Sequence, residues 1–283
     1  NATGVALGSA TTADNCGVAS VTNDAPAVFP LGTTTVTWTV TDNAGLTATD
    51  TQVVTVTDNE APTITAPADV AVNTDASSCD ATGVALGTAT TSDNCGVASV
   101  TNDAPAVFPL GTTTVTWTVT DNAGLTATDT QVVTVTDNEA PTITAPADVA
   151  VNTDASSCDA TGVALGSATT ADNCGVASVT NDAPAVFPLG TTTVTWTVTD
   201  NAGLTATDTQ IITVTDNESP TITAPADVAV NTDASSCNAT GVALGSATTA
   251  DNCGVASVTN DAPVVFPLGT TTVTWTVTDN AGL

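Results

Sequence analysis

The string ATGVALG begins at Ala2, Ala81, Ala160 and Ala239, so the chain repeats itself with a constant period of 79, without insertion or deletion. The copies differ only in mild exchanges, such as Thr88 against Ser167, Val132 against Ile211, and Asp80 against Asn238. A unit of this length is too long for a solenoid turn, which buries its core only against its neighbours. It suits a small domain with a core of its own. The expected organisation is beads in an extended rod, with a partial copy at 1–57, full copies at 58–136 and 137–215, and a partial copy at 216–283. Both ends fall inside a copy, and the expectation is a stretch of a longer array.

In the copy at 58–136, residues 112–120 read TTTVTWTVT, which puts Val115, Trp117 and Val119 on one face and threonines on the other. Strict alternation of this kind predicts a half-buried strand. Further β-branched stretches at 63–66, 70–74, 82–86, 97–101 and 126–136 lie between the turn signals NEAP, DASS, SDNCG, NDAP, FPLG and DNAG. No stretch has a helical period. About seven short strands, with one in-phase tryptophan per copy (Trp38, Trp117, Trp196, Trp275), predict an all-β fold of tandem Ig-like β-sandwich repeats.

Seven cysteines follow one another at spacings that alternate between 63 and 16. Closure of the shorter ring favours local bridges, Cys79 to Cys95, Cys158 to Cys174 and Cys237 to Cys253, with Cys16 left over. Pairing across the longer spacing, which joins one copy to the next, is the alternative. Either pattern implies an oxidising, extracellular setting, and without CxxC or histidine the cysteines do not read as a zinc site.

There are 29 acidic residues and no lysine, arginine or histidine, a net charge of −29. Nucleic acid and anionic membranes require a basic surface, so both are excluded as partners, and no apolar segment suggests direct membrane insertion. No base is available for general catalysis and no serine sits in a nucleophile elbow. Identical acids recurring in every copy point to a structural role, and the chain is read as not an enzyme.

The carboxylates instead call for cations. The linker Asp58, Asn59, Glu60 recurs as Asp137, Asn138, Glu139 and as Asp216, Asn217, Glu218, in each case shortly before proline. Calcium takes six to eight oxygens, and this tripeptide offers several. In an odd-stranded sandwich the DNAG turn returns to the end at which the chain enters. Asp121 and Asn122 are then expected beside Asp58, Asp200 and Asn201 beside Asp137, and Asp279 beside Asp216. Asp93, Asp172 and Asp251 join them if their loop lies at that end, and otherwise face the next junction. The plain alternative is a polar linker and an ordinary turn, since Asp, Asn and Gly are what turns prefer.

The run DNEAPTITAPADVAV, then Cys79, then DNC at 93–95, then FPLGTTTVTWTVTDNAG at 108–124, and finally VTVTD, resembles the hyalin repeat domain along the whole chain. It departs from a common form of that pattern after Gly124, where Leu125 stands instead of a glycine-asparagine step followed by a cysteine. The resemblance implies an Ig-like fold and an extracellular adhesive role. Long acidic arrays of such repeats also resemble the giant cell-surface adhesins of gliding bacteria in the Bacteroidota. Two functions follow as expectations: a calcium-stiffened stalk that projects a distal binding region, its partners being other repeats of the same chain, or an adhesive surface that itself binds glycans or neighbouring filaments.

Overall fold

The computed structural model describes residues 1–283 and consists of strands and turns without a helix. Two compact units form, one from Asn1–Asn73 with Asp80–Thr136 and the other from Thr74–Cys79 with Asp137–Leu283. The short segment Thr74–Cys79 therefore belongs with residues that follow Thr136, not with the strands on either side of it.

The second unit contains one full period, 137–215, with eight strands: β1 (Thr142–Thr144), β2 (Val149–Asn152), β3 (Asp159–Thr161), β4 (Thr169–Ala171), β5 (Val176–Asn181), β6 (Val186–Pro188), β7 (Gly190–Asp200) and β8 (Thr205–Thr215). A four-stranded sheet in the order β2-β8-β7-β5 forms one layer, with β2 parallel to β8 and the other pairs antiparallel. Two antiparallel ribbons, β1 with β4 and β3 with β6, form the other. In the first unit the preceding period, 58–136, has this same order and register.

Alternation along β7 decides which face is buried. Val194, Trp196 and Val198 are almost fully enclosed, whereas Thr195 and Thr197 on the opposite face are half-buried. Between the layers Ala160, Phe187, Val194, Trp196, Ile212 and Val214 form the core, with Ile143, Val149, Val151, Val163 and Leu165 packed around them. One polar side chain sits among them. Gln210 on β8 is wholly buried, accepts a hydrogen bond from Trp196 Nε1 at 3.1 Å, and donates from Nε2 to the carbonyls of Ala147 at 2.7 Å and Leu165 at 3.0 Å. The amide thus ties the sheet to two irregular segments whose carbonyls have no strand partner.

This explains one departure from expectation. Residues 82–86 do not form a strand; pairing stops at Thr82, because Gly83 turns the chain with φ +62° and the carbonyl of Leu86 faces Gln131. The segment still contributes Val84 and Leu86 to the core. Its return after Gly87 is a strand, Thr90–Ser92, paired with Thr63–Thr65.

With no cationic side chain available, carboxylates fasten the loops by accepting backbone N–H groups. Asp208 accepts from Ala145 N at 2.8 Å, Asp148 from Ile211 N at 2.8 Å, and Asp182 from Thr195 N at 2.6 Å. The amides of Ala145 and then Thr209 hold the Asp208 carboxyl below its usual pKa. A lowered folded-state value means that this fastening is fully present above the unfolded carboxyl pKa of about 3.9, and is lost as pH falls through the lower folded value.

Candidate metal centre

Asp200 ends β7 and lies at the mouth of the DNAG turn. Its Oδ1 accepts the amides of Ala202 and Leu204, both at 2.8 Å, which closes the turn. Asp172, in the loop after β4, uses Oδ2 for the Cys174 amide at 2.8 Å, and Asp137 uses Oδ1 for the Glu139 amide at 3.1 Å. Each aspartate therefore spends one oxygen on its own loop. The other oxygens, Asp137 Oδ2, Asp172 Oδ1 and Asp200 Oδ2, are buried with no hydrogen-bond partner. Carboxylate oxygens of the three residues lie within 4.8 Å of one another, and Asp200 is only 2% exposed.

The arrangement occurs three times. Asp58, Asp93 and Asp121 converge in the first unit, and Asp216, Asp251 and Asp279 converge in the second, each trio with the same orphaned oxygens. At an effective dielectric of 20, two unit charges 4.8 Å apart repel by about 3.5 kcal/mol. Three such pairs with buried, unsolvated oxygens form a strained site unless a cation sits among them. The donor set, all carboxylate oxygen, matches a hard divalent ion such as calcium.

Two loops are locked together to make the site. The amide of Asn201 donates to the Gly175 carbonyl at 3.2 Å, and its side-chain Nδ2 donates to the Cys174 carbonyl at 3.0 Å. Gly175 has φ +96°, and a Cβ there would meet Asn201 Nδ2 at 3.0 Å, so glycine is required on both counts.

Of the residues expected at the site, the nine aspartates meet in three trios, Asp93, Asp172 and Asp251 included. The asparagines and glutamates stand outside the trios. Asn122 and Asn201 are the loop locks just described, and Asn59, Asn138 and Asn217 are exposed. Glu60 accepts from Asn94 Nδ2 at 2.9 Å, Glu139 from Ser77 N at 2.8 Å, and Glu218 from Ser156 N at 2.9 Å.

Those serines belong to a hook. In Thr74–Cys79 a turn closed by Ser78 N to Asp75 O at 3.0 Å sets Ser77 at φ +58° and aims its amide at Glu139. Asn173 Nδ2 then donates to the Ser78 carbonyl at 2.8 Å and to Asp137 Oδ1 at 3.2 Å, joining the hook to the cluster. Residues 153–158 repeat these contacts against Glu218, Asn252 and Asp216. Asn173 and Asn252 are not among the residues expected from sequence; their only signal there is a place between Asp and Cys in the DNC loop.

The hook also corrects the disulfide pattern. Cys79 is bonded to Cys174 and Cys158 to Cys253, each across 95 residues with Cα atoms 4.8 Å apart. The local bridges from Cys79 to Cys95 and from Cys158 to Cys174 do not form, nor does the alternative pairing across the longer spacing. Cys237 is likewise not bonded to Cys253. A local bridge needs residues 80–94 to run out and back as a hairpin. Instead Asp80–Thr82 pairs with Val107–Pro109 while Thr90–Ser92 pairs with Thr63–Thr65, in separate ribbons. Short-ring entropy favours a bridge only where the fold lets the ends meet. Cys16, Cys95 and Cys237 are free, and positions 95 residues from them that would complete the pattern fall outside 1–283. The neighbouring Asp58 carboxylate, then burial, raises the pKa of the Cys95 thiol.

The fold is that of tandem β-sandwich repeats. No family model matches the chain, and no curated protein does. Among solved structures it is similar to extracellular cadherin domains 3–6 of protocadherin gamma B2, at 15% identity and a TM-score of 0.32, covering 65% of this chain and 60% of that one. Domains 1–4 of protocadherin gamma B7 match at 12% and 0.31, covering 87% of this chain and 76% of that one. The human desmocollin-1 ectodomain matches at 12% and 0.26, covering 89% and 63%. The chain thus spans less than two thirds of the first of these, and likeness at this level says nothing about ligands.

Proposed function

We propose that the chain is a stretch of a non-catalytic extracellular stalk, built of hyalin-type repeats, in which each three-aspartate cluster holds one calcium ion. The observation that carries this reading is the set of orphaned oxygens: in every trio each aspartate has one oxygen satisfied by a backbone amide and the other buried, unpartnered and close to its counterparts. A turn or polar linker needs only the first oxygen. The second has a use only with a cation, and the charge of −29 leaves no side chain to supply it.

Stiffening follows from where the ligands lie. Asp137 belongs to the segment that opens a copy, Asp172 and Asp200 to two loops of that copy, and Asn173 joins the same cluster to the hook. An ion at the trio fixes linker, loops and hook to one another. Disulfides fit an oxidising, extracellular location. Calorimetric titration of the chelator-stripped 283-residue chain with calcium is expected to saturate at three ions per chain. Saturation at two in D200N would tie an ion to its trio, and absence of binding in the unaltered chain would end this reading.

A further inference from the structure

The disulfides overlap. The ring closed by Cys79 and Cys174 contains Cys158, and the ring closed by Cys158 and Cys253 contains Cys174. A tension applied along the chain therefore has a shorter covalent route than the backbone. From Cys79 it crosses the bridge to Cys174, runs backward along the chain to Cys158, and crosses the second bridge to Cys253. Each bridge advances the route by 95 and each backward run returns 16, so one whole period of 79 is covered with only the run 158–174 under load.

We infer that the bridges form a continuous covalent track that takes the main sandwich sheet and the linkers out of tension, so that the array is a tether of limited extension. The loaded run holds β3, β4 and the DNC loop. Off the track lie the four-stranded sheet with Trp196 and Gln210, and the segment from Asp216 to the next copy's first strand. Melting of β5 to β8, which includes the partner of β3, then lengthens the array by no more than the loaded run itself can extend. The loaded run of 16 residues stretches to at most about 55 Å, whereas 79 residues without bridges reach about 270 Å. A folded bead with strands of 11 residues is about 40 Å long. Stretching is then limited to roughly half again the folded length, against more than sixfold for an array without the bridges.

The hook is shaped for this. Its left-handed serines, Ser77 and Ser156, present an amide to Glu139 and Glu218 and leave Cys79 and Cys158 beside the DNC loop, where the bridge closes. The free thiols are the three cysteines with no partner 95 residues away, so added copies would extend the track in both directions.

The mechanical role rests on the stalk reading; the track itself does not, and it is measured with calcium chelated so that the two can fail separately. The 283-residue chain is held by its ends in an optical trap and stretched until fully extended, first oxidised and then in dithiothreitol. The reduced chain is expected to reach the contour of all 283 residues, and the oxidised chain to fall short by two periods, about 540 Å. In C174S only the bridge from Cys158 to Cys253 remains, and the shortfall is expected to drop to the 95 residues which that bridge spans. A shortfall made of the short rings that local bridges would close, or no shortfall at all, overturns the track. Neither result would alter the count of bound calcium.

Discussion

Exchange of Gln210 for leucine is expected to destabilise its copy by about 3 to 5 kcal/mol, although it makes a buried position more apolar. The side chain is 0% exposed, and its amide serves the Trp196 indole N–H and the carbonyls of Ala147 and Leu165. Leucine leaves all three buried and unpaired, at about 1 to 3 kcal/mol each, and returns about 2 kcal/mol from better apolar burial. Scanning calorimetry of the variant is expected to split a transition off to lower temperature, by about 4 to 8 °C per kcal/mol for a domain of this size. Addition of W196F removes one of the three orphans and is expected to recover part of the loss. A loss below about 1 kcal/mol would mean that the amide is dispensable to the core.

The second large effect changes sign with calcium. In chelator, D200N is expected to be more stable than the unaltered chain, because asparagine keeps the oxygen that accepts the Ala202 and Leu204 amides and removes one of three crowded charges. With calcium at about 100 times its dissociation constant the order reverses. An ion bound only by the folded state adds about 2.7 kcal/mol per site, a shift of about 10 to 20 °C for a domain the size of one copy, and the variant forgoes it. Melting curves of both proteins in calcium and in chelator give the four values. An unchanged ranking in the two conditions would mean that Asp200 is a turn-closing residue and no more.

Local pattern makes much of this legible from sequence. The alternation through Val194, Trp196 and Val198 sets the buried face of β7 without help from elsewhere, and the length of the β7–β8 hairpin follows from it. The meeting of Asp58 with Asp121 is expected from chain direction in an odd-stranded sandwich. The period has eight strands, and the outcome holds because its second strand, Val70–Asn73, runs parallel to its last, Thr126–Thr136, so that the turn into the last strand lies at the end where the second begins. What is not legible depends on segments that leave their own copy. Residues 74–79 dock with those that follow Thr136, so a bridge across 95 residues, one period and a further short loop, is invisible to an argument that compares only ring sizes. Glu139 and Glu218 read as ligands for the same reason: nothing local reveals the serine amides that occupy them. Gln210 does carry a signal. It is in phase with Ile212 and Val214, which puts it on the inward face of β8.

Small-angle scattering of the chain with calcium and then with chelator tests the stalk account most directly. The account predicts a larger maximum dimension in calcium, about 40 Å for each full copy, and a shorter, broader distribution of distances once the ion is removed. Identical scattering profiles in the two conditions would contradict it.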